Sequence, residues 1–234
     1  MNSPNKTARV AGLLYLLMAP FGMFGIMYVS TTLVVPGDAA TTANNIKASE
    51  SLFRLGIVSA LITQLIQIFV VLFLYKLLKP VNKNLAMLMV IFILIGVPIA
   101  MLSELSRFAA LLLLSGAEHL AAFTTDQLHA QVMQFLDIRE HGISIAGIFW
   151  GLWLFPMGYL VFKSGYIPRI LGILLIIGGF GYLIESVALF VFPNFDATIS
   201  LYTFWGEVLF PLWLIIKGVN VERWEKRALE SAAI

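Results

Sequence analysis

Charged side chains set inside apolar runs are the residues of this chain with chemistry to offer. Glu104 and Arg107 lie three residues apart, hence on one face of a helix, with Ser103 and Ser106 beside them. Glu185 and Glu207 interrupt two further apolar runs. Arg54 stands at the start of another, which later carries Gln64 and Gln67, and Arg139, Glu140 and His141 open a fourth. A charge near a bilayer centre costs at least about 2.5 to 3.5 kcal/mol on insertion scales, so each of these residues needs a partner or a task. Arg54, Arg107 and His141 are cations that can serve Glu104, Glu140, Glu185 and Glu207. Such a set holds helices in register through ion pairs, lines a path for a ligand or proton, or catalyses. A carboxyl group left without a cation is a site for proton exchange; Glu207 is the first candidate and Glu185 the second.

Other chemistries are poorly served. The chain has no Cys, which removes disulfides, thiolate nucleophiles and Cys-based metal sites. Asp126 with His129, and Asp137 with His141, have the i,i+3 and i,i+4 spacing of ligands on a helix, but no HExxH accompanies them. Neither a metal nor a cofactor is expected. No GxSxG elbow occurs, and Gly178-Gly179-Phe180-Gly181 follows no strand and so is no dinucleotide loop. No residue is assigned a catalytic role.

The elements that must hold these residues follow from composition. Of 234 residues, 60% are apolar and 12% charged, with a mean hydropathy of +0.92. A body this small cannot hide that much apolar surface, so lipid must cover the rest. Fifteen basic against thirteen acidic residues leave a net charge of +2 and no single-face basic block, which excludes a nucleic-acid binder. The expected fold is all-α: one integral membrane domain over residues 1–234, with six transmembrane helices at about 10–35, 52–78, 85–114, 140–162, 170–192 and 201–216. Lys6 and Arg9 ahead of the first run imitate a signal peptide, but the run is too long for one and is expected to stay as a helix. Residues 37–51 are expected to form a solvated loop. Thr124, Thr125 and Asp126 are N-cap types, and Leu128, Val132, Phe135 and Leu136 then recur at helical spacing, predicting a short amphipathic helix on the outer surface.

Lys and Arg divide eleven to four between the two sides of this topology. Lys6, Arg9, Lys76, Lys79, Lys83, Lys163, Arg169, Lys217, Arg223, Lys226 and Arg227 fall on one side; Lys47, Arg54, Arg107 and Arg139 fall on the other. Positive loops stay in the cytoplasm, so both termini are expected inside, and the intramembrane charges then lie in the outer half. Gly147 and Gly151 form a GxxxG pair in span four, and Gly172, Gly178, Gly179 and Gly181 supply span five with small residues for close helix packing. Pro20, Pro98, Pro156 and Pro211 sit within spans, and Pro211 removes the bond to the Glu207 carbonyl.

Several segments carry a resemblance: Ala8-Arg9-Val10-Ala11-Gly12-Leu13-Leu14-Tyr15-Leu16, Val35-Pro36-Gly37-Asp38-Ala39-Ala40, and Glu50-Ser51-Leu52-Phe53-Arg54-Leu55-Gly56. So do Lys79-Pro80-Val81-Asn82-Lys83, Ser164-Gly165-Tyr166-Ile167-Pro168-Arg169, and Gly206-Glu207 through Trp213 to Trp224. Over nearly its whole length the chain resembles the bacterial membrane proteins called domain of unknown function 4386. The resemblance implies a polytopic helical protein of the bacterial cell envelope and carries no activity with it. Arg54 and Glu207 fall at matched positions. Arg139-Glu140-His141-Gly142 departs from the His-Asp-Tyr-Gly type of sequence associated with the family, which weakens a general role for His141.

The expectation is therefore a multi-pass protein of the bacterial inner membrane, with a polar pocket toward the outer leaflet lined by Arg54, Glu104, Arg107, Glu185 and Glu207, and His141 as a further candidate. Its function would be binding or transport of a small polar or amphipathic ligand, coupled to a proton through Glu207. A structural or partner-binding membrane component and an intramembrane enzyme are the alternatives. The expected partners are the lipid bilayer, a small-molecule ligand and a second copy of the chain in a homo-oligomer.

Overall fold

Long apolar runs without internal turn signals have one way to satisfy their backbone in lipid, which is to become helices. The computed structural model describes residues 3–192 and 199–232, and among these there is no strand. Helix α1 (Pro4–Gly22) passes through a π-helical segment, Met23–Tyr28, into α2 (Val29–Leu33). There follow α3 (Ala39–Ala48), α4 (Glu50–Leu78), α5 (Lys83–Leu113), a 3-10 turn (Glu118–Leu120), α6 (Thr125–Ser164), α7 (Arg169–Val191), α8 (Ser200–Thr203), α9 (Trp205–Ile216) and α10 (Val221–Ala232). Five of these segments are long and apolar enough to cross a membrane. A sixth is added if Ser200–Ile216 and Val221–Ser231, bent by 103°, count as one broken span.

Two boundaries differ from expectation, each for a local reason. The connection at 37–51 is not all loop, because Asp38 caps α3: its carboxylate accepts from Thr41 N at 2.9 Å and from the Thr41 hydroxyl at 2.7 Å. Those bonds, the hydroxyl's first, hold the Asp38 carboxyl below the usual carboxylate range. The amphipathic segment at 125–137 is helical but not separate. It forms the opening turns of the 40-residue α6, since Ile138, Arg139 and Glu140 offer no Gly or Pro to break it. Its start is a reciprocal cap, with Gln127 N donating to Thr124 Oγ1 and Thr124 N donating to Gln127 Oε1. The last apolar run ends at Ile216, where Gly218 takes a φ of 66° and the chain turns into α10.

The chain divides into two compact units. The first takes the residues up to Leu17, Leu65–Val97 and the chain from Ser144 onward. Small residues set its helix crossings: a Cβ on Gly172 would lie 2.5 Å from the Gly158 carbonyl oxygen, and one on Gly151 would lie 2.9 Å from that of Gly179. Helices α6 and α7 therefore meet backbone to backbone. Gly206 packs as closely on the Leu174 backbone, and Gly12 on the Pro211 carbonyl, so α9 is gripped from both α7 and α1. The second unit, Met18–Gln64 with Pro98–Ile143, has a core of Val29, Leu33, Ile46, Phe53, Ala110, Leu111, Val132 and Leu136. There Gly25 meets the backbone of Gly56 and Ala60, and Gly56 meets Val29.

Candidate functional site

The two units each hold a polar cluster. In the second unit Glu104 lies between two guanidinium groups. Arg139 Nε donates to Glu104 Oε1 at 2.9 Å, with its Nη2 2.8 Å from the same oxygen, and Arg107 Nη1 reaches Glu104 Oε2 at 3.4 Å. The side chains of Glu104, Arg139 and Arg107 are 4%, 8% and 1% exposed, respectively. Two cations on one carboxylate leave a charge to settle, and the backbone settles part of it. Arg107 Nη1 donates to the Gly25 carbonyl at 2.7 Å, Nη2 donates to Ser30 Oγ, and the guanidinium lies 5.6 Å from the Phe53 ring centroid. Gly25 belongs to the π-helical segment, whose wider turn frees carbonyl groups from the regular ladder. Arg107 thus ties α5 to the irregular part of the first span, while Glu104 ties α5 to α6.

In the first unit the Glu207 carboxylate sits among phenols rather than cations. It stands in the first turn of α9, and the contact of Gly12 with Pro211 places α1 beside that turn. The Tyr15 hydroxyl, one turn beyond Gly12, donates to Glu207 Oε2 at 2.7 Å. Tyr182 of α7 faces the same carboxylate. Glu207 Oε1 is shielded from solvent yet has no hydrogen bond of normal geometry. Among the described residues no Lys or Arg is ion-paired with Glu207. The Tyr15 ring packs on Trp153 with centroids 5.8 Å apart, and the nearby Trp150 of α6 also keeps a buried, unbonded Nε1.

The remaining candidates have partners of their own. Glu185 Oε2 accepts from Ser200 N at 2.9 Å, capping the start of α8. Arg54 pairs with Glu50 at 2.7 Å, with both side chains 53% exposed, and so takes no part in the Glu104 cluster. His141 is exposed, with Nδ1 2.8 Å from the Asp137 carbonyl. The structure therefore brings Glu104 and Arg107 together, leaves Glu185 on the cap of α8, and gives Glu207 phenolic partners. Arg139, Tyr15 and Tyr182 were missed. Arg139 was visible as an ionisable residue next to a span, but its partner lies 35 positions away in sequence, and nothing in the spacing of the two tyrosines distinguishes them from core aromatics.

A sequence profile described as Domain of unknown function (DUF4386) matches residues 10–218. An uncharacterized protein of Archaeoglobus fulgidus (strain ATCC 49558 / DSM 4304 / JCM 9628 / NBRC 100126 / VC-16) is 38% identical over 147 residues, covering 62% of this chain and 72% of that protein. No solved structure matches.

Proposed function

Since this chain belongs to the family described as Domain of unknown function (DUF4386), we propose a function from its own carboxylates: it binds a small amphipathic ligand bearing an amine at Glu207, where ligand and proton compete. The observation that carries this reading is a carboxylate with one oxygen bonded to Tyr15, the other facing Tyr182 without a hydrogen bond of normal geometry, and no Lys or Arg among the described residues ion-paired with it. An alkylammonium group supplies the missing charge and the missing donor together, and the aromatic faces of Tyr15, Tyr182 and Trp153 suit it by cation–π attraction. The same carboxylate accepts a proton when the ligand leaves, so binding and proton movement are linked at one atom. A thermal-shift screen of hydrophobic amines on the purified protein tests this. Wild type should be stabilised at saturating ligand and Glu207→Gln should not, with Tyr15→Phe intermediate. Equal shifts in wild type and Glu207→Gln would remove Glu207 from the site.

We also infer a plasma-membrane location with both termini in the cytoplasm. Lys and Arg divide eleven to four between the two sides of the expected topology, and the side richer in them stays in the cytoplasm. Reporter fusions at the α4–α5 and α6–α7 turns should read cytoplasmic, and one at Gly116 should read external; the reverse pattern would invert the topology. A structural or partner-binding role is favoured by one observation, the closed Glu104–Arg107–Arg139 cluster, whose charges are engaged within the chain.

A further inference from the structure

Helix α10 is held in place by a set of polar contacts that no membrane-spanning role requires. Trp224 Nε1 and the Tyr166 hydroxyl both donate to the Leu77 carbonyl, at 2.9 and 2.8 Å. Asn220 N donates to the Tyr166 carbonyl, Val219 N donates to Asn5 Oδ1, and Arg223 Nη1 donates to the Gly165 carbonyl at 3.0 Å. The α6–α7 turn, the end of α4 and the start of α1 thus clamp α10 where the apolar helices end. Between α10 and the α6–α7 turn lies a groove of about 280 Å³, lined by Lys163, Arg223, Lys226 and Arg227 against the single acid Glu230. Glu230 is already engaged, 3.3 Å from Arg227 Nη1, and Arg227 Nε is buried with no hydrogen-bond partner. Gly165 takes a φ of 74°, and a Cβ there would meet nothing within 4 Å, so the floor of the groove is open.

We propose that this groove binds the phosphodiester headgroup of an anionic phospholipid, with Arg223 fixed against the turn and Lys163, Lys226 and Arg227 neutralising the phosphate. The four cations and the unbonded Arg227 nitrogen call for an anion. The occupant is lipid because the groove opens where the apolar α6 ends and the apolar α7 begins, beside a helix bent by 103° from the last apolar run, and a bilayer crossed by α6 and α7 would set its headgroups at these helix ends. The reading is independent of Glu207, and Glu207→Gln should bind lipid as wild type does.

The test uses the full chain in detergent, titrated with short-chain phosphatidylglycerol, short-chain phosphatidylcholine or inorganic phosphate, with bound lipid counted by native mass spectrometry and stability followed by melting. Phosphatidylglycerol should bind and raise the melting temperature, and the other two should not. Lys226→Gln combined with Arg227→Gln should weaken phosphatidylglycerol binding about thirtyfold, whereas Lys226→Arg should retain it. Equal binding of phosphatidylcholine, or unchanged affinity in the double variant, would overturn the site. Stabilisation by inorganic phosphate equal to that by phosphatidylglycerol would overturn the lipid assignment. A double variant that melts as wild type does without lipid shows that its loss of binding is not a loss of fold.

Discussion

Two ion pairs in this chain look alike on paper and differ in consequence. Arg54 and Glu50 are half exposed, so their pairing contributes about 0 to 1 kcal/mol. Glu104 lies between two buried guanidinium groups, and removing it strands both. Glu104→Gln should therefore cost about 3 to 5 kcal/mol in reversible unfolding, and Arg54→Gln less than about 1 kcal/mol. A third carboxylate responds to pH. Asp38 has a folded-state pKa below its unfolded value, so its cap contributes fully above the unfolded value and is lost as pH falls through the folded one. The protection of the Thr41 amide from exchange, relative to its intrinsic rate at each pH, should fall in that acid window in wild type, while Asp38→Ala should show low protection at every pH. The pairing of Glu104 with Arg107 was legible because three residues on a helix is a local rule. The pairing of Arg54 with Glu50 was not, because Glu50 sat in a stretch read as loop until the α4 boundary moved back over it.

Helices here are positioned by backbone contact rather than by side-chain bulk. With lipid as apolar as leucine, close approach through glycine gains dispersion energy and draws α6, α7 and α9 together. Gly172→Val would push a side chain into the Phe162 backbone and the Gly158 carbonyl, neither of which can yield as a flexible side chain would. It should lower stability by about 1 to 3 kcal/mol or more, measured by thermal unfolding, while a valine at the open Gly116 position should cost only its backbone strain. The six apolar runs and the GxxxG pair were plain in the sequence, since hydropathy and small-residue spacing are local. The π-helical turn in the first span was not, because what sustains it is a guanidinium 82 residues away.

At the scale of the molecule, the two units hold different kinds of polar cluster. In the second unit Glu104 pairs with Arg107 and Arg139, and in the first no Lys or Arg among the described residues is ion-paired with Glu207. Each of these residues is expensive at membrane depth, and cost alone does not say which partners a residue finds. Partner identity depends on helix rotation, which here follows from Gly12 on Pro211 and from Gly206 on α7. Glu207 is the point at which the whole account is most exposed. Calorimetric titration of an amine selected by the thermal screen, in buffers of different ionisation heat, measures both ligand binding and proton exchange at once. Wild type should bind with a buffer-dependent heat, and Glu207→Gln should lose both binding and buffer dependence. Identical isotherms for the two proteins would contradict the assignment of ligand and proton to this carboxylate.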